Sequence, residues 1–166
     1  MATTKLTEFD QSTHIVGGGP AQHGICYYIC DYVQKHKDSP WSKANSFNEA
    51  KANSTRLRTV PLVAAGKAAN AKHFKPQNGG YADAAPLKDN AIYRVEVAVD
   101  TNVGVNHETM MMTGNNEIIL FDPNFGFYHI DTAPVGHAAK FEQALTALYG
   151  TTTVTNFGYS KVQKAY

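Results

Sequence analysis

A set of helices followed by a mostly antiparallel sheet, an α+β arrangement, is the fold class this sequence predicts, and three observations predict it. Ile25, Ile29 and Val33 recur at helical spacing just after a Gly17-Gly18-Gly19-Pro20 breaker. Tyr93, Val95, Val97 and Val99 alternate against Arg94 and Glu96 in the manner of a half-exposed strand. The apolar runs Thr109 to Thr113 and Glu117 to Phe121 flank Gly114-Asn115-Asn116, which is hairpin chemistry.

Residues 1 to about 13 are polar and threonine-rich and are expected to be an extended or frayed lead-in. A helix is expected from about Gly24 to His36, with Cys26 in its first turn, where unpaired N–H groups and the helix dipole favour a thiolate. The other reading of Cys26 is a small buried hydrophobe, and Cys30, one turn further in, is expected to be buried and inert. Ser46-Phe47-Asn48-Glu49 has the pattern of a capping box opening a helix that runs to about Arg58. Pro61 suits the first position of an Ala-rich helix from Leu62 to about Phe74. Residues 75–90 are rich in Pro, Gly, Asn and Asp and read as a long loop rimming a cleft.

After the strand of residues 92–99, a short loop leads into the hairpin, which folds His107 back toward Asp122. With the turn near residue 115, facing positions have numbers that sum to about 230. Pro123 pushes Asp122 toward an extended conformation, Asn124 and Gly126 tolerate positive φ, and the chain turns there and presents the carboxylate. Phe121, Phe125, Phe127 and Tyr128 are expected to wall the site. Ala138, Phe141, Leu145 and Leu148 mark one face of a helix ended by Gly150, and Thr151 to Phe157 is β-branched enough for a further strand.

The chain of 166 residues is 43% hydrophobic and 11% aromatic, which suits one globular domain over residues 1–166. A net charge of +1 without a basic stripe excludes a nucleic-acid binder and a polybasic membrane surface. No apolar run approaches 18 residues, and the N-terminal stretch has no apolar centre, so neither a membrane span nor a Sec-type leader is expected. Seven histidines lack metal-ligand spacing, and two cysteines four apart make neither a disulfide framework nor a CxxC motif, so no metal or cofactor is expected.

Cys26, His107 and Asp122 then make sense together. A thiol needs a base within hydrogen-bond reach, and the base needs a third group to fix its ring. A nucleophile on an N-terminal helix, with base and orienter on a later sheet, is the papain order. Gly24-Ile25-Cys26, Asn106-His107 and above all Phe121-Asp122-Pro123-Asn124-Phe125-Gly126 resemble the YopT-type (AvrPphB-like) cysteine proteases that bacteria inject into host cells.

The resemblance covers about residues 20–36 and 92–130. It implies a papain-like fold with Cys26 as nucleophile, His107 as general base and acid, and Asp122 as orienter. The oxyanion-hole donors would be the backbone N–H of Cys26 and the side chain of Gln22. It further implies a monomeric thiol protease acting on a protein or peptide substrate, secreted by a non-Sec route and working as a virulence effector in the cytosol of a recipient cell. The interval from Cys26 to His107 is shorter than in the family, which implies a reduced or different substrate-binding subdomain. Papain-like amidases and deamidases share the triad, and a non-catalytic interaction module could keep the fold.

Overall fold

The computed structural model describes residues 3–10, 21–55, 81, 87–99 and 106–165. The glycine-rich breaker at 17–20, the helix expected over 62–74 and most of the 75–90 loop lie outside these residues. The described elements are β1 (Thr3–Glu8), α1 (Ala21–Lys35), α2 (Phe47–Ser54), β2 (Ala91–Val99), β3 (Asn106–Thr113), β4 (Glu117–Asp122), β5 (Gly126–Asp131), α3 (His137–Tyr149) and β6 (Val154–Ala165). The strands form one sheet in the order β1-β5-β4-β3-β2-β6, with every neighbouring pair antiparallel. This is the α+β class expected.

Both faces of the sheet are covered. On one side, Ile29, Val33 and Phe47 of α1 and α2 pack with Ile92, Met110, Met112, Ile119, Phe121 and Phe127. On the other, Phe141 and Leu145 of α3 pack with Val95, Val97, Met111, Ile118, Leu120 and Ile130. The three consecutive methionines of β3 therefore point alternately into two cores, and all three are fully buried. Burial of this kind contributes roughly 1.5–3 kcal/mol per large apolar side chain.

Several local expectations fail for reasons that lie beyond local sequence. β2 is an interior strand between β3 and β6, so it is not half exposed; Arg94 is buried among polar partners and is not a solvated side chain. The polar lead-in is extended as expected, but it is not a loose tail: it contains β1, an edge strand paired with β5 from Thr3↔Ile130 to Glu8↔Gly126. Residues 126–131, expected to be no more than a corner, are the strand β5. Phe121 and Phe127 do not wall a site: their rings stack at 4.4 Å inside the core, where Trp41 meets Phe127 edge-on.

Other local signals read correctly. Ser46 caps α2 by accepting from the Glu49 N–H at 3.1 Å, while the Glu49 carboxylate reaches back to the Asn45 N–H. The helix is shorter than expected and ends at Ser54. α3 stops at Gly150 with a φ of 64°. The turn after β3 carries Asn116 at φ 57°, and the Gly114 N–H bonds to the Glu117 carbonyl.

Gly126 is required twice over. Its φ is 111°, and a Cβ there would run into the Thr7 carbonyl oxygen of β1. At Gly150 the φ is 64°, but a Cβ would meet open space. Urea denaturation should therefore show Gly150→Ala losing about 1–3 kcal/mol from backbone strain alone and Gly126→Ala losing clearly more, because strain and a backbone clash add there. Equal losses would contradict the close approach of the β1 backbone to Gly126.

Candidate active site

Three elements converge below the hairpin. Pairing of β3 with β4 runs from Thr113↔Ile118 to Met110↔Phe121, so facing residues sum to 231 and pairing stops three residues short of His107. Below that point β3 continues along β2, through Val97↔His107 to Ala98↔Asn106. β4 ends at Asp122, where Pro123 opens a turn closed by the Phe125 N–H on the Asp122 carbonyl at 2.9 Å. The hairpin thus brings His107 and Asp122 together at its open end.

His107 Nε2 donates to Asp122 Oδ1 at 2.7 Å. The same oxygen accepts the Asn124 backbone N–H at 2.8 Å, and Asp122 Oδ2 accepts the Tyr149 hydroxyl at 2.9 Å. Asp122 has no solvent exposure. A buried carboxylate is tolerated when donors surround it, and here one comes from each of β3, the β4–β5 turn and α3.

With Nε2 committed to Asp122, Nδ1 is the ring nitrogen left for Cys26, whose thiol lies within hydrogen-bonding reach of His107. Burial alone would lower the imidazole pKa. The Asp122 charge, the Asp122 hydrogen bond and the neighbouring thiol outweigh it and hold His107 well above its usual value near 6.5. The arrangement can keep an imidazolium next to a sulfur atom and return the proton on demand.

Cys26 sits elsewhere on its helix than expected. α1 begins at Ala21, so Cys26 is in the second turn, beyond the four residues whose N–H groups a helix leaves free. A first-turn position, and with it a free Cys26 amide as oxyanion donor, is corrected accordingly. Gln22 lies one turn before Cys26, and its side chain is outside the described residues. Cys30, the other thiol of this helix, is fully buried and donates to the Glu108 carbonyl at 3.6 Å; burial pushes its pKa well up.

Sequence reasoning missed Tyr149. Besides donating to Asp122, it accepts from Asn124 Nδ2 at 2.9 Å, lies edge-on to Phe125 at 4.9 Å and faces the His107 ring at 6.3 Å. Of the four aromatic residues expected around the site, Phe125 is the one held against it in this way. The signal was present: residue 149 follows Phe141 and Leu145 at helical spacing, so a hydroxyl-tipped ring continues an apolar stripe. Among the described residues no group of three or more His, Cys, Asp and Glu side chains is placed to hold a metal ion, and no helix is long and apolar enough to cross a membrane.

These features define an antiparallel α+β protein with a buried, hydrogen-bonded imidazole–carboxylate pair and a thiol beside it. No protein-family model matches the chain, and no curated protein matches it. Among solved structures it is similar to the crystal structure of the Pseudomonas avirulence protein AvrPphB, at 13% identity and a TM-score of 0.43, over 92% of this chain and 99% of that one. The chemistry of the site does not depend on this likeness.

The His107–Asp122 pair gives a signed pH dependence. A raised folded pKa means that the folded chain binds this proton more tightly than the unfolded chain does. The stabilisation is complete below about pH 6.5 and is lost as pH rises through the folded value. In Asp122→Asn the carboxylate is gone while burial remains, so NMR should find the His107 pKa well below its wild-type value. The stability penalty of this variant should be larger at pH 6 than at pH 9. A His107 titration unchanged by the substitution would contradict the pairing.

Proposed function

We propose that the chain is a papain-like cysteine protease in which Cys26 is the nucleophile, His107 the general base and acid, and Asp122 the orienting group. One observation carries this reading: a single buried imidazole is hydrogen-bonded to a buried carboxylate and has the Cys26 thiol as a neighbour, and both raise its affinity for a proton. His107 takes the thiol proton on Nδ1, and the thiolate attacks the substrate carbonyl carbon to give a tetrahedral oxyanion. The imidazolium then protonates the departing amine, leaving a thioester on Cys26. His107 next deprotonates a water that attacks the thioester, and the second tetrahedral intermediate collapses to acid and free thiol. Asp122 keeps its charge throughout, holding the ring in the orientation that turns Nδ1 to the sulfur.

Gln22, one turn ahead of Cys26, is the side chain we assign to the oxyanion. The substrate is a protein or peptide in a recipient cell, and the protein reaches it as a secreted effector by a non-Sec route. The support for this part is the resemblance of Gly24-Ile25-Cys26, Asn106-His107 and the Phe121-to-Gly126 corner to the YopT-type proteases. A reporter fusion should give signal inside recipient cells, and confinement to the producing cell's periplasm would contradict this route.

Incubation with a recipient-cell lysate should yield new protein fragments, and Cys26→Ser should abolish them without a comparable loss of thermal stability. Asp122→Asn should reduce turnover on the order of 10–10⁴-fold, the upper end being the cost of a misoriented histidine in the serine-protease template. Muropeptides released from peptidoglycan, or a mass gain of about one dalton without cleavage, would move the same triad to an amidase or deamidase. Fragments that persist in Cys26→Ser would remove the thiol from the mechanism.

A further inference from the structure

The described residues contain a second polar cluster that the proposed chemistry does not use. Arg94 of β2 is nearly fully buried. Its Nη1 donates to Asp31 Oδ1 at 2.7 Å and Gln34 Oε1 at 2.6 Å, its Nη2 donates to the Tyr27 carbonyl at 3.3 Å, and its guanidinium lies 4.6 Å over the Tyr27 ring. All these partners are on α1. In the opposite direction, Nε donates to Glu108 Oε2 of β3 at 2.7 Å, an oxygen that also accepts the Tyr81 hydroxyl at 2.5 Å.

The covalent neighbours of these partners give the cluster its meaning. Tyr27 directly follows Cys26, and Glu108 directly follows His107. One planar cation therefore grips the residue next to the thiol and the residue next to the imidazole, and so fixes α1 against β3 at the level of both. Cys30 adds a parallel tie from α1 to the Glu108 carbonyl. A buried ion pair of this type is weak evidence for stability, since apolar packing can replace it with little loss; what it supplies is a fixed geometry. Thiol-to-imidazole proton transfer is sensitive to that geometry, and a displacement of about 1 Å can cost on the order of 10²-fold.

We propose that Arg94 is a positioning residue that sets the separation of Cys26 from His107 by clamping α1 to β3 through Tyr27, Asp31, Gln34 and Glu108. The inference rests on the functional reading of Cys26 and His107 and deepens it. The charged and titratable groups facing the clamp are Tyr27, Cys30 and Asp31 from α1, with Lys35 3.6 Å from the same Asp31 oxygen, Glu108 from β3, Glu96, which stands opposite Glu108 on β2, Tyr81, and Lys161 of β6, which lines the same cavity as Arg94. Lysine cannot replace the arginine, because one ammonium does not span Asp31, Gln34, the Tyr27 carbonyl and Glu108 at once.

The test is the pH profile of Cys26 alkylation by iodoacetamide, a small reagent that needs no substrate pocket, followed by mass spectrometry on protein shown to be folded by circular dichroism. In Arg94→Met and Arg94→Lys alike, alkylation of Cys26 at pH 6 should slow by at least about tenfold, with the profile moving toward that of a free thiol near pH 8.5. Should both variants fail to fold, Asp31→Asn and Gln34→Ala loosen the clamp from the more accessible α1 side, and each should slow alkylation about two- to fivefold.

A wild-type profile retained in folded Arg94→Met, or in both α1 variants, overturns the positioning role while leaving the triad intact. Full rescue by Arg94→Lys also overturns it, since charge alone would then suffice. If wild-type Cys26 itself reacts no faster than a free thiol at pH 6, the functional reading fails first and takes this inference with it.

Discussion

A carboxylate without access to water has to be met by donors inside the protein, and Asp122 is met by the His107 ring, the Asn124 amide and the Tyr149 hydroxyl. Those donors come from β3, from the turn after β4 and from the last residue of α3. Satisfying one buried charge therefore requires the open end of the hairpin, the turn at Pro123 and the end of α3 to meet at one point. Removing one donor leaves the charge partly unpaired, which typically costs 1–3 kcal/mol or more. The same pairing outweighs the effect of burial on the imidazole and raises its affinity for a proton.

The thiol comes from α1, a helix that is attached by different means. α1 buries Ile29, Cys30 and Val33 against the sheet and is tied to β2 and β3 through Arg94 and Glu108. The two cysteines of this helix differ in their partners. Cys26 meets a ring able to take its proton, whereas Cys30 is enclosed and donates to a carbonyl, an environment that favours the protonated form.

Features governed by neighbouring residues were legible in the sequence. The hairpin turn, the Ser46 cap, the Gly150 stop and the approach of His107 to Asp122 all follow from spacing and turn chemistry. Features governed by distant partners were not. Arg94 reads as a solvated residue on an alternating strand, because Asp31 lies 63 residues away in sequence and Gln34 lies 60 away. β1 reads as a tail because its polar residues sit on an edge, and β5 reads as a corner because it begins at the required Gly126. Gly24 reads as a helix boundary, but α1 runs through it from Ala21.

The assignment of Cys26 as the reacting thiol is tested most directly by where a brief exposure to iodoacetamide at pH 6 leaves its label. Peptide mapping by mass spectrometry should find the label on Cys26 and not on Cys30, and the labelling should drop sharply in His107→Asn, in which the thiol has lost its proton acceptor. A label on Cys30, or rapid labelling of Cys26 that survives the loss of His107, would contradict the proposed site.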